Sequence, residues 1–282
     1  MRAIDTSTQL CAVIGNPVEH SLSPAIHNAA FASAGLNYVY VAFRVEDVRG
    51  CLMGMRALEG FRGMSVTIPH KLAVMEHLDE IDPMAQRVGS VNTIVKEGGR
   101  LIGSTTDGPG TLRAFADAGV SLEGKRVLFL GAGGAVRAVA FAMVELAGVA
   151  SLTILGRTAS RVESLADDLR VHSHVEIGTG PLSEGLAQTV AEHDVIINGT
   201  PTGMYPSSID ETLVTAEMLR PDQVVFDMVY RPLRTRLLQE AQQAGCRTIE
   251  GIEMLLNQAV LQFELWTGVT APYAAMRQAV VR

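Results

Sequence analysis

Polar side chains stand in apolar or glycine-rich surroundings in the N-terminal part of the chain. Ser21 and Ser23 flank a leucine in "GNPVEHSLSPAIHN", directly before a helix that Pro24 begins. Ser23 suits the N-cap of that helix, with proline at the first helical position, but capping explains Ser21 less well. In "GMSVTIPHK" a strand-like stretch is broken by Pro69 and followed by Lys71, at a junction where a lysine is usually just solvated.

Asn92 and Asp107 extend this polar set. Asn92 lies inside the apolar strand of "GSVNTIV", and a buried amide needs hydrogen-bond partners, one of which a ligand can supply. Asp107 lies in "GSTTDGPG", which we expect to be a loop at the seam between two domains, a usual place for ligand contacts. Hydroxyl and amide groups beside a lysine and an aspartate would suit a small polyhydroxylated acid. No histidine spacing is stronger than His172-x-His174 in a predicted surface turn, so we predict no metal site.

A glycine-rich turn in the second half of the chain predicts a nucleotide site. The stretch "VLFLGAGGAVRAVAFAMVEL" is a strand, a tight turn and a helix. Gly131 and Gly133 let the backbone turn sharply and approach a pyrophosphate, to which the helix N-terminus offers N–H groups and a positive dipole end. Val136 occupies the position of the usual third glycine. The alternative is a plain strand–helix turn, which the strand-before, helix-after context disfavours.

The next strand ends at "GRTASR", residues 156–161, where a site for NAD usually has an acidic residue that binds the ribose. Arg157 stands there instead, and its planar guanidinium suits phosphate oxygens. Thr158 and Arg161 lie close enough to add donors. The alternative is a helix start with incidental positive charge, although an acidic residue would suit that end of a helix better. We therefore predict that the cofactor is NADP.

The bulk composition narrows the class of protein. Lys and Arg number 23 against 30 Asp and Glu, for a formal charge of −7, and this balance argues against a nucleic-acid partner. The three cysteines are scattered, so no disulfide framework is expected and a reducing cytoplasm is the simplest compartment. The most apolar region, Ala135–Gly156, is interrupted by Arg137 and Glu145, so we expect neither a membrane span nor a membrane partner.

Short apolar runs alternate with helical patterns along almost the whole chain. Strands are predicted at "CAVIG" (11–15), "YVYVAF" (38–43), "VNTIV" (91–95), "RVLFLG" (126–131), "SLTILG" (151–156), "DVIING" (194–199) and "VVFDMV" (224–229). Helices are predicted at Pro24–Gly35, Thr111–Ala118, Gly133–Ala147, Ser160–Leu169, Leu233–Ala244 and Met254–Trp266. Such alternation indicates parallel sheets with helices on both faces. We predict an α/β protein with a substrate-binding and catalytic domain at residues 1–108, a Rossmann-type doubly wound NADP-binding domain at 109–250, and C-terminal helices at 251–282.

The motifs of the chain occur together in one known family. The chain resembles shikimate dehydrogenases over nearly its full length, in the order and spacing of "GNPVEHSLSPAIHN", "SVTIPHK", "VNTIV", "TTDGPG", "GAGGAVR", "GRTASR", "NGTPTGM", "FDMVY" and "GIEMLLNQAVLQFELWTG". The resemblance implies an NADP-dependent enzyme that reversibly reduces 3-dehydroshikimate to shikimate, in the chorismate pathway to aromatic amino acids. It also implies that the C-terminal helices return to the substrate domain.

The resemblance assigns roles to individual residues. Lys71 would be the catalytic residue, with Asp107 beside it. The substrate-binding residues would be Ser21 and Ser23 at the carboxylate, Thr67, Asn92 and Asp107 at the ring hydroxyls, and Tyr230, Gln258 and Gln262 closing the site. The cofactor-binding residues would be Gly131, Ala132, Gly133, Gly134, Ala135, Arg157, Thr158 and Arg161, with Met228 and Gly251 near the nicotinamide.

Ser65 and Thr105 depart from the family pattern, because many relatives have asparagine at both positions. Both changes leave room for a paralogue that acts on quinate or on an amino-substituted analogue. A non-catalytic nucleotide-sensing module is a further alternative, which the joint presence of Lys71, Asp107, Asn92 and Gln258 disfavours. Either a monomer or a homodimer is compatible with the sequence.

Overall fold

The computed structural model describes residues 4–281, so the outermost ends of the predicted first and last segments, residues 1–3 and 282, lie outside it. The described strands are β1 Gln9–Gly15, β2 Tyr38–Arg44, β3 Phe61–Val66, β4 Glu80–Ile81, β5 Thr93–Glu97, β6 Arg100–Ser104, β7 Arg126–Leu130, β8 Ser151–Gly156, β9 Glu176–Pro181, β10 Val195–Asn198, β11 Val224–Asp227 and β12 Arg247–Ile249. The described helices are α1 Ser23–Ser33, α2 Val48–Ala57, α3 Pro83–Val88, α4 Asp107–Asp117, α5 Gly134–Leu146, α6 Ala159–His172, α7 Leu186–Glu192, α8 Arg236–Gln243, α9 Gly251–Thr267 and α10 Tyr273–Gln278. Short 3-10 helices lie at Ala73–His77 and Ala216–Met218.

The chain forms two compact units. The first combines the described residues up to Thr106 with those from Leu256 onward, and the second is continuous from Asp107 to Leu255. The division falls inside α9, so the C-terminal part of that helix and α10 belong to the first unit. The predicted α/β architecture with two domains is confirmed. The functional domain limits at 108 and 250 stay a prediction.

The sheet of the first unit is mixed, which corrects the expectation of parallel sheets throughout. Its strand order is β2-β1-β3-β5-β6-β4, and β5 runs antiparallel to both β3 and β6. Gly98 and Gly99 join β5 to β6 with φ angles of 55° and 82°. Two successive positive φ angles favour a tight hairpin, and glycine adopts them without strain. The reversal therefore has a local cause in "EGGR" that the prediction missed.

The sheet of the second unit is parallel throughout, with the order β12-β11-β10-β7-β8-β9. Read from β7, this is the doubly wound order in which the chain first winds to one side and then to the other. Ligands of such sheets bind beyond the carboxyl ends of the strands, at the point where the winding reverses. Here that point lies between β7 and β10, and the predicted Rossmann-type fold is confirmed.

Helix α5 follows β7 and is apolar on nearly every side. Its residues 138–144 are all buried, as expected for a helix packed inside a domain rather than on its surface. The central strand β7 is equally apolar, because Val127, Leu128, Phe129 and Leu130 have no exposed surface. The turn between these two elements is therefore held on both sides by a rigid core.

Several helix starts differ from the prediction, and two of the differences have a clear physical reason. Helix α4 begins at Asp107 rather than near Thr111, and a carboxylate in the first turn is favourable beside the positive end of the helix dipole. Helix α8 begins at Arg236 rather than Leu233, because the Thr235 side chain accepts from the N–H of Leu238 and caps it. Among residues 4–281, no helix is both long and apolar enough to span a membrane.

Candidate functional site

The glycine turn after β7 is shaped for close approach of a ligand to the backbone. Gly131 has a φ of 109°, where only glycine is comfortable, and an added Cβ would lie 3.1 Å from the carbonyl oxygen of Gly199. Gly133 and Gly134 are exposed, and an added Cβ at either would meet nothing within 4 Å. Ala132 and Ala135 complete the turn, with Ala135 exposed in the first turn of α5. The N-terminus of α5 is thus open, as a pyrophosphate site requires.

Val136 replaces the third glycine of the usual pattern, and the structure shows what makes room for it. The Cγ2 atom of Val136 occupies the space that a Cβ of Gly199 would need. Gly199 directly follows β10, which is the neighbour of β7 in the sheet. The close packing that the third glycine ordinarily permits is here provided by a glycine on the facing segment.

Arg157, Thr158 and Arg161 follow β8 as predicted, and all three are exposed. They line a cavity of about 170 Å³ together with Gly131, Ala132, Gly133, Gly156, Val162, Leu182, Gly199, Thr200 and Pro201. Thr158 precedes α6 without capping it through its side chain. The two guanidinium groups and the glycine turn therefore share one cavity, which suits a dinucleotide with an additional phosphate.

Met228 and Gly251 lie beyond the carboxyl end of β11. An added Cβ on Gly251 would lie 2.6 Å from the carbonyl oxygens of Asp227 and Val229, so this glycine packs against the backbone around Met228. Tyr230 is half-buried, and burial raises the pKa of its hydroxyl, with Arg231 opposing the shift.

The buried carboxylate of Asp227 organises this segment, a role that the sequence analysis missed. It accepts hydrogen bonds from Asn198 Nδ2 at 2.9 Å, from the backbone N–H of Val229 at 3.0 Å and from the Thr235 hydroxyl at 2.5 Å. Burial raises the pKa of Asp227, against the opposing effect of these donors. Asn198 in turn accepts from the N–H and the hydroxyl of Thr200 at 3.0 and 2.7 Å. The motifs "NGTPTGM" and "FDMVY" carried the signal, since each places a polar side chain at the end of a buried strand.

In the first unit, Ser21 and Ser23 lie at the start of α1. The structure contradicts the alternative of Ser23 as N-cap, because α1 begins at Ser23 itself and Leu22 precedes it without a side-chain cap. Ser23 is buried, and its backbone N–H donates to the Ser21 hydroxyl at 3.3 Å. The two hydroxyl groups therefore belong to one local turn.

Thr67 and Lys71 lie in the turn that follows β3. The N–H of Thr67 donates to the Ile14 carbonyl at 2.9 Å, and the carbonyl of Lys71 accepts from the N–H of Val91 at 2.9 Å. The ring of His70 forms a 2.8 Å hydrogen bond with the carbonyl of Val45. The backbone around the half-buried Lys71 is thus tied to neighbouring segments on both sides.

Asn92 is buried, as predicted, but it lies just before β5 rather than inside the strand. Its Oδ1 accepts from the N–H of Thr106 at 2.8 Å and from the Thr93 hydroxyl at 2.7 Å. Its Nδ2 donates to the Thr106 hydroxyl at 3.0 Å. Protein groups therefore supply several of the partners that a buried amide needs.

Gln258 and Gln262 lie one turn apart on α9, and both are buried. Gln262 Nε2 donates to the Thr93 hydroxyl at 2.9 Å, and Gln262 Oε1 accepts from the Ser65 hydroxyl at 2.8 Å. Gln258 Oε1 accepts from the Thr106 hydroxyl at 3.5 Å. The structure thus joins the predicted residues Asn92, Gln258 and Gln262 in one hydrogen-bonded network.

Asp107 is buried and is the first residue of α4. The expectation of a loop at this residue is therefore wrong, although the glycines of "DGPG" gave reason for it. The contact division assigns Asp107 to the second unit and Lys71 to the first. Within residues 4–281, no group of three or more His, Cys, Asp and Glu side chains is arranged to hold a metal ion.

The second unit, with its parallel sheet, glycine turn and arginine-lined cavity, defines a dinucleotide-binding protein of the doubly wound α/β class. Three family models match the chain: a shikimate dehydrogenase substrate binding domain at residues 13–94, a shikimate/quinate 5-dehydrogenase at 114–228 and a shikimate 5′-dehydrogenase C-terminal domain at 251–281. The chain belongs to the shikimate dehydrogenase family.

Individual relatives agree with this membership. A shikimate dehydrogenase (NADP(+)) of Moorella thermoacetica is 47% identical over 281 residues, which cover 98% of this chain and 94% of the relative. A crystal structure of a shikimate dehydrogenase in complex with NADP+ has a TM-score of 0.92 and 42% identity, covering 99% of this chain and 96% of that one. A structure of shikimate 5-dehydrogenase from Listeria monocytogenes in complex with shikimate and NAD has a TM-score of 0.93 and 37% identity, covering 99% and 98%.

Proposed function

We propose that the protein is an NADP-dependent oxidoreductase that interconverts 3-dehydroshikimate and shikimate, in the chorismate pathway to aromatic amino acids. The observation that carries the proposal is the 47% identity to a shikimate dehydrogenase (NADP(+)) along nearly the full length of both chains. The arginine-lined cavity beside the glycine turn supports the choice of cofactor.

The residues of the second unit fit NADP. The open backbone of Gly131 and Gly133 would hold the pyrophosphate, and Arg157 with Thr158 and Arg161 would hold the additional phosphate. The segment of Met228 and Gly251 would lie along the nicotinamide. When bound, the dinucleotide supplies the hydride for reduction of the carbonyl carbon or accepts it in the reverse direction.

The residues of the first unit fit a hydroxylated cyclic acid. Ser21 and Ser23 would donate to its carboxylate, and Thr67, Asn92 and Asp107 would contact its ring hydroxyls. Gln258, Gln262 and Tyr230 would close the site. The support is chemical, because short hydroxyl and amide side chains held by hydrogen bonds can distinguish a substrate hydroxyl from its absence.

Lys71 and Asp107 would handle the proton. During reduction the Lys71 ammonium would donate a proton to the carbonyl oxygen, and during oxidation the amine would accept the hydroxyl proton. Asp107 would orient the lysine and the substrate hydroxyl. A positive charge at this position also stabilises the alkoxide that develops on the oxygen.

The cellular setting of the proposal is the cytoplasm, with the protein acting as a monomer or a homodimer. All three cysteines are free thiols, in keeping with a reducing compartment.

A steady-state assay with purified protein tests the proposal. Shikimate and quinate are each offered with NADP and with NAD, and formation of the reduced nucleotide is followed. We expect the highest kcat/KM with shikimate and NADP. A preference for quinate, or for an amino-substituted analogue added as a fifth arm, would replace the substrate assignment. Absence of turnover in every arm would reject the enzyme proposal.

A further inference from the structure

Tyr40 on β2 has a role that its sequence position does not suggest. Its side chain is 1% exposed, and its ring stacks on the His27 ring with centroids 4.5 Å apart and an interplanar angle of 15°. Its hydroxyl lies 2.6 Å from the Ser65 hydroxyl. Burial raises the pKa of Tyr40, with Ser65 and Ser23 opposing the shift. The hydroxyl therefore keeps its proton.

The direction of the hydrogen bonds follows from the backbone carbonyl of Asn92. A carbonyl oxygen only accepts, and the side-chain atom facing it is Nε2 of Gln262, at 3.3 Å. The Oε1 atom of Gln262 must then face Ser65, at 2.8 Å. Because an amide oxygen cannot donate, Ser65 must direct its only hydroxyl proton to Gln262.

This assignment determines what Tyr40 does. With its proton directed to Gln262, the Ser65 oxygen can only accept from Tyr40, so Tyr40 must be the donor of the 2.6 Å hydrogen bond. Removing the Tyr40 hydroxyl would leave a buried acceptor without that donor and would free the Ser65 hydroxyl to rotate.

The directions of the hydrogen bonds between Gln262 and Asn92 agree with this assignment. The Thr93 hydroxyl accepts from Gln262 Nε2 and donates to Asn92 Oδ1 at 2.7 Å. The backbone N–H of Thr106 independently requires Oδ1 at that end of Asn92, since it donates to the same oxygen at 2.8 Å. The Asn92 amide nitrogen therefore points the other way, toward the Thr106 hydroxyl at 3.0 Å.

We infer that Tyr40 is a positioning residue of the substrate site, which acts through Ser65 and Gln262. By donating to the Ser65 oxygen, Tyr40 leaves the Ser65 proton to Gln262 and so helps to hold the Gln262 amide in one orientation. The inference rests on the proposed function, because Gln262 is there a substrate-binding residue. The proposed role of Tyr40 concerns the direction of hydrogen bonds at the substrate, so the binding of the cofactor should be unaffected.

Tyr40→Phe tests the inference, with Tyr38→Phe as the matched control. Tyr38 lies on the same strand, and its ring contacts Phe31 with centroids 5.0 Å apart. Shikimate binding without cofactor is measured by calorimetry, KM and kcat are measured with both substrates varied, and thermal unfolding verifies the fold. We expect Tyr40→Phe to raise the Kd and KM for shikimate about tenfold, with the KM for NADP unchanged. Tyr38→Phe should leave all of these values unchanged.

Ser65→Ala and the double variant separate a direct role from a transmitted one. If Tyr40 acts through Ser65, adding Tyr40→Phe to Ser65→Ala should produce little further loss of shikimate affinity. Additive losses would overturn the inference, and so would a Tyr40→Phe variant that binds shikimate like the wild type. The proposed function would still stand in either case, provided that the wild type is active. A wild type that neither binds nor oxidises shikimate would reject the proposed function and, with it, the substrate role of Tyr40.

Discussion

The side-chain amide of Asn198 donates to the carboxylate of Asp227 over 2.9 Å, in the interior of the second unit. The two residues end neighbouring parallel strands, β10 and β11. Through Thr235, the same carboxylate also holds the residue that caps α8. One buried charge thus fixes the position of two strand ends and a helix start on the proposed cofactor side.

Replacing Asp227 with alanine should lower the free energy of unfolding by about 3 kcal/mol, because several buried donors lose their acceptor. Urea unfolding followed by circular dichroism measures the change. Asp227→Asn should lose less, since its amide oxygen can still accept from Asn198. Asp222→Ala is the control, because the Asp222 side chain is 72% exposed. Equal stability of Asp227→Ala and the control would contradict this account.

His27 should make the stability depend on pH. Burial lowers the pKa of His27 from 6.5 to about 3, and the Gln262 side chain opposes this to a smaller extent, although among residues 4–281 neither ring nitrogen reaches a hydrogen-bond partner. Between pH 6.5 and about pH 3, His27 therefore binds a proton in the unfolded chain but not in the folded chain. The stability that neutral His27 provides is complete above pH 6.5 and is lost as the pH falls toward 3.

The measurement is the free energy of unfolding in urea at about pH 5 and about pH 7. His27 alone should make this free energy rise with pH by up to about 1.4 kcal/mol per pH unit. His27→Phe keeps an aromatic ring against Tyr40 and Trp266 and should have a shallower slope. His174→Gln, at an exposed position, should retain the wild-type slope. Equal slopes in the wild type and His27→Phe would disprove the assignment.

Lys71→Ala and Asp107→Ala should each reduce kcat by about a hundredfold or more, the usual scale for residues that transfer or orient a proton. Steady-state kinetics with shikimate and NADP measures the loss. Lys96→Ala removes a lysine whose ammonium binds the Leu58 carbonyl and should leave kcat near the wild-type value. Near-normal turnover in both Lys71→Ala and Asp107→Ala would remove these residues from the mechanism.

Arg157→Asp should weaken NADP far more than NAD, because a favourable phosphate contact becomes a repulsion. We expect the ratio of kcat/KM for NADP over NAD to fall by about a hundredfold. Lys125→Asp changes the charge by the same amount but lies just before β7, at the amino end of that strand. This control should leave the ratio unchanged. An unchanged ratio in Arg157→Asp would speak against a phosphate at this arginine.

The fully buried strands were predictable because their sequences are continuously apolar. Residues 195–197 of β10, for example, have no exposed surface. Strand β9 was missed, since it contains Gly178 and Gly180 and only one buried apolar residue, Ile177. Its structure comes from parallel pairing with β8, a partner that no local pattern identifies.

The site was predictable to the extent that its residues lie in short motifs. Their supporting partners were not, because those contacts connect distant parts of the chain. Tyr40 and Ser65 are 25 residues apart, and Gln262 and Thr93 are 169 apart. Which buried hydroxyl meets which amide depends on strand order and helix placement, and these emerge only when the tertiary fold is complete.

Val136 stands where a glycine is usual, and Gly199 on the facing segment makes room for it. This pairing bears on how nucleotide-binding sequences are recognised. A sequence pattern that requires three glycines in one turn would miss this chain, although Gly131 and Gly133 are both present. The requirement is one of volume shared between a helix and the adjacent strand, so either side can meet it. Enlarging residue 199 should become tolerable only when residue 136 shrinks, and the two positions are therefore expected to change together among descendants of this gene.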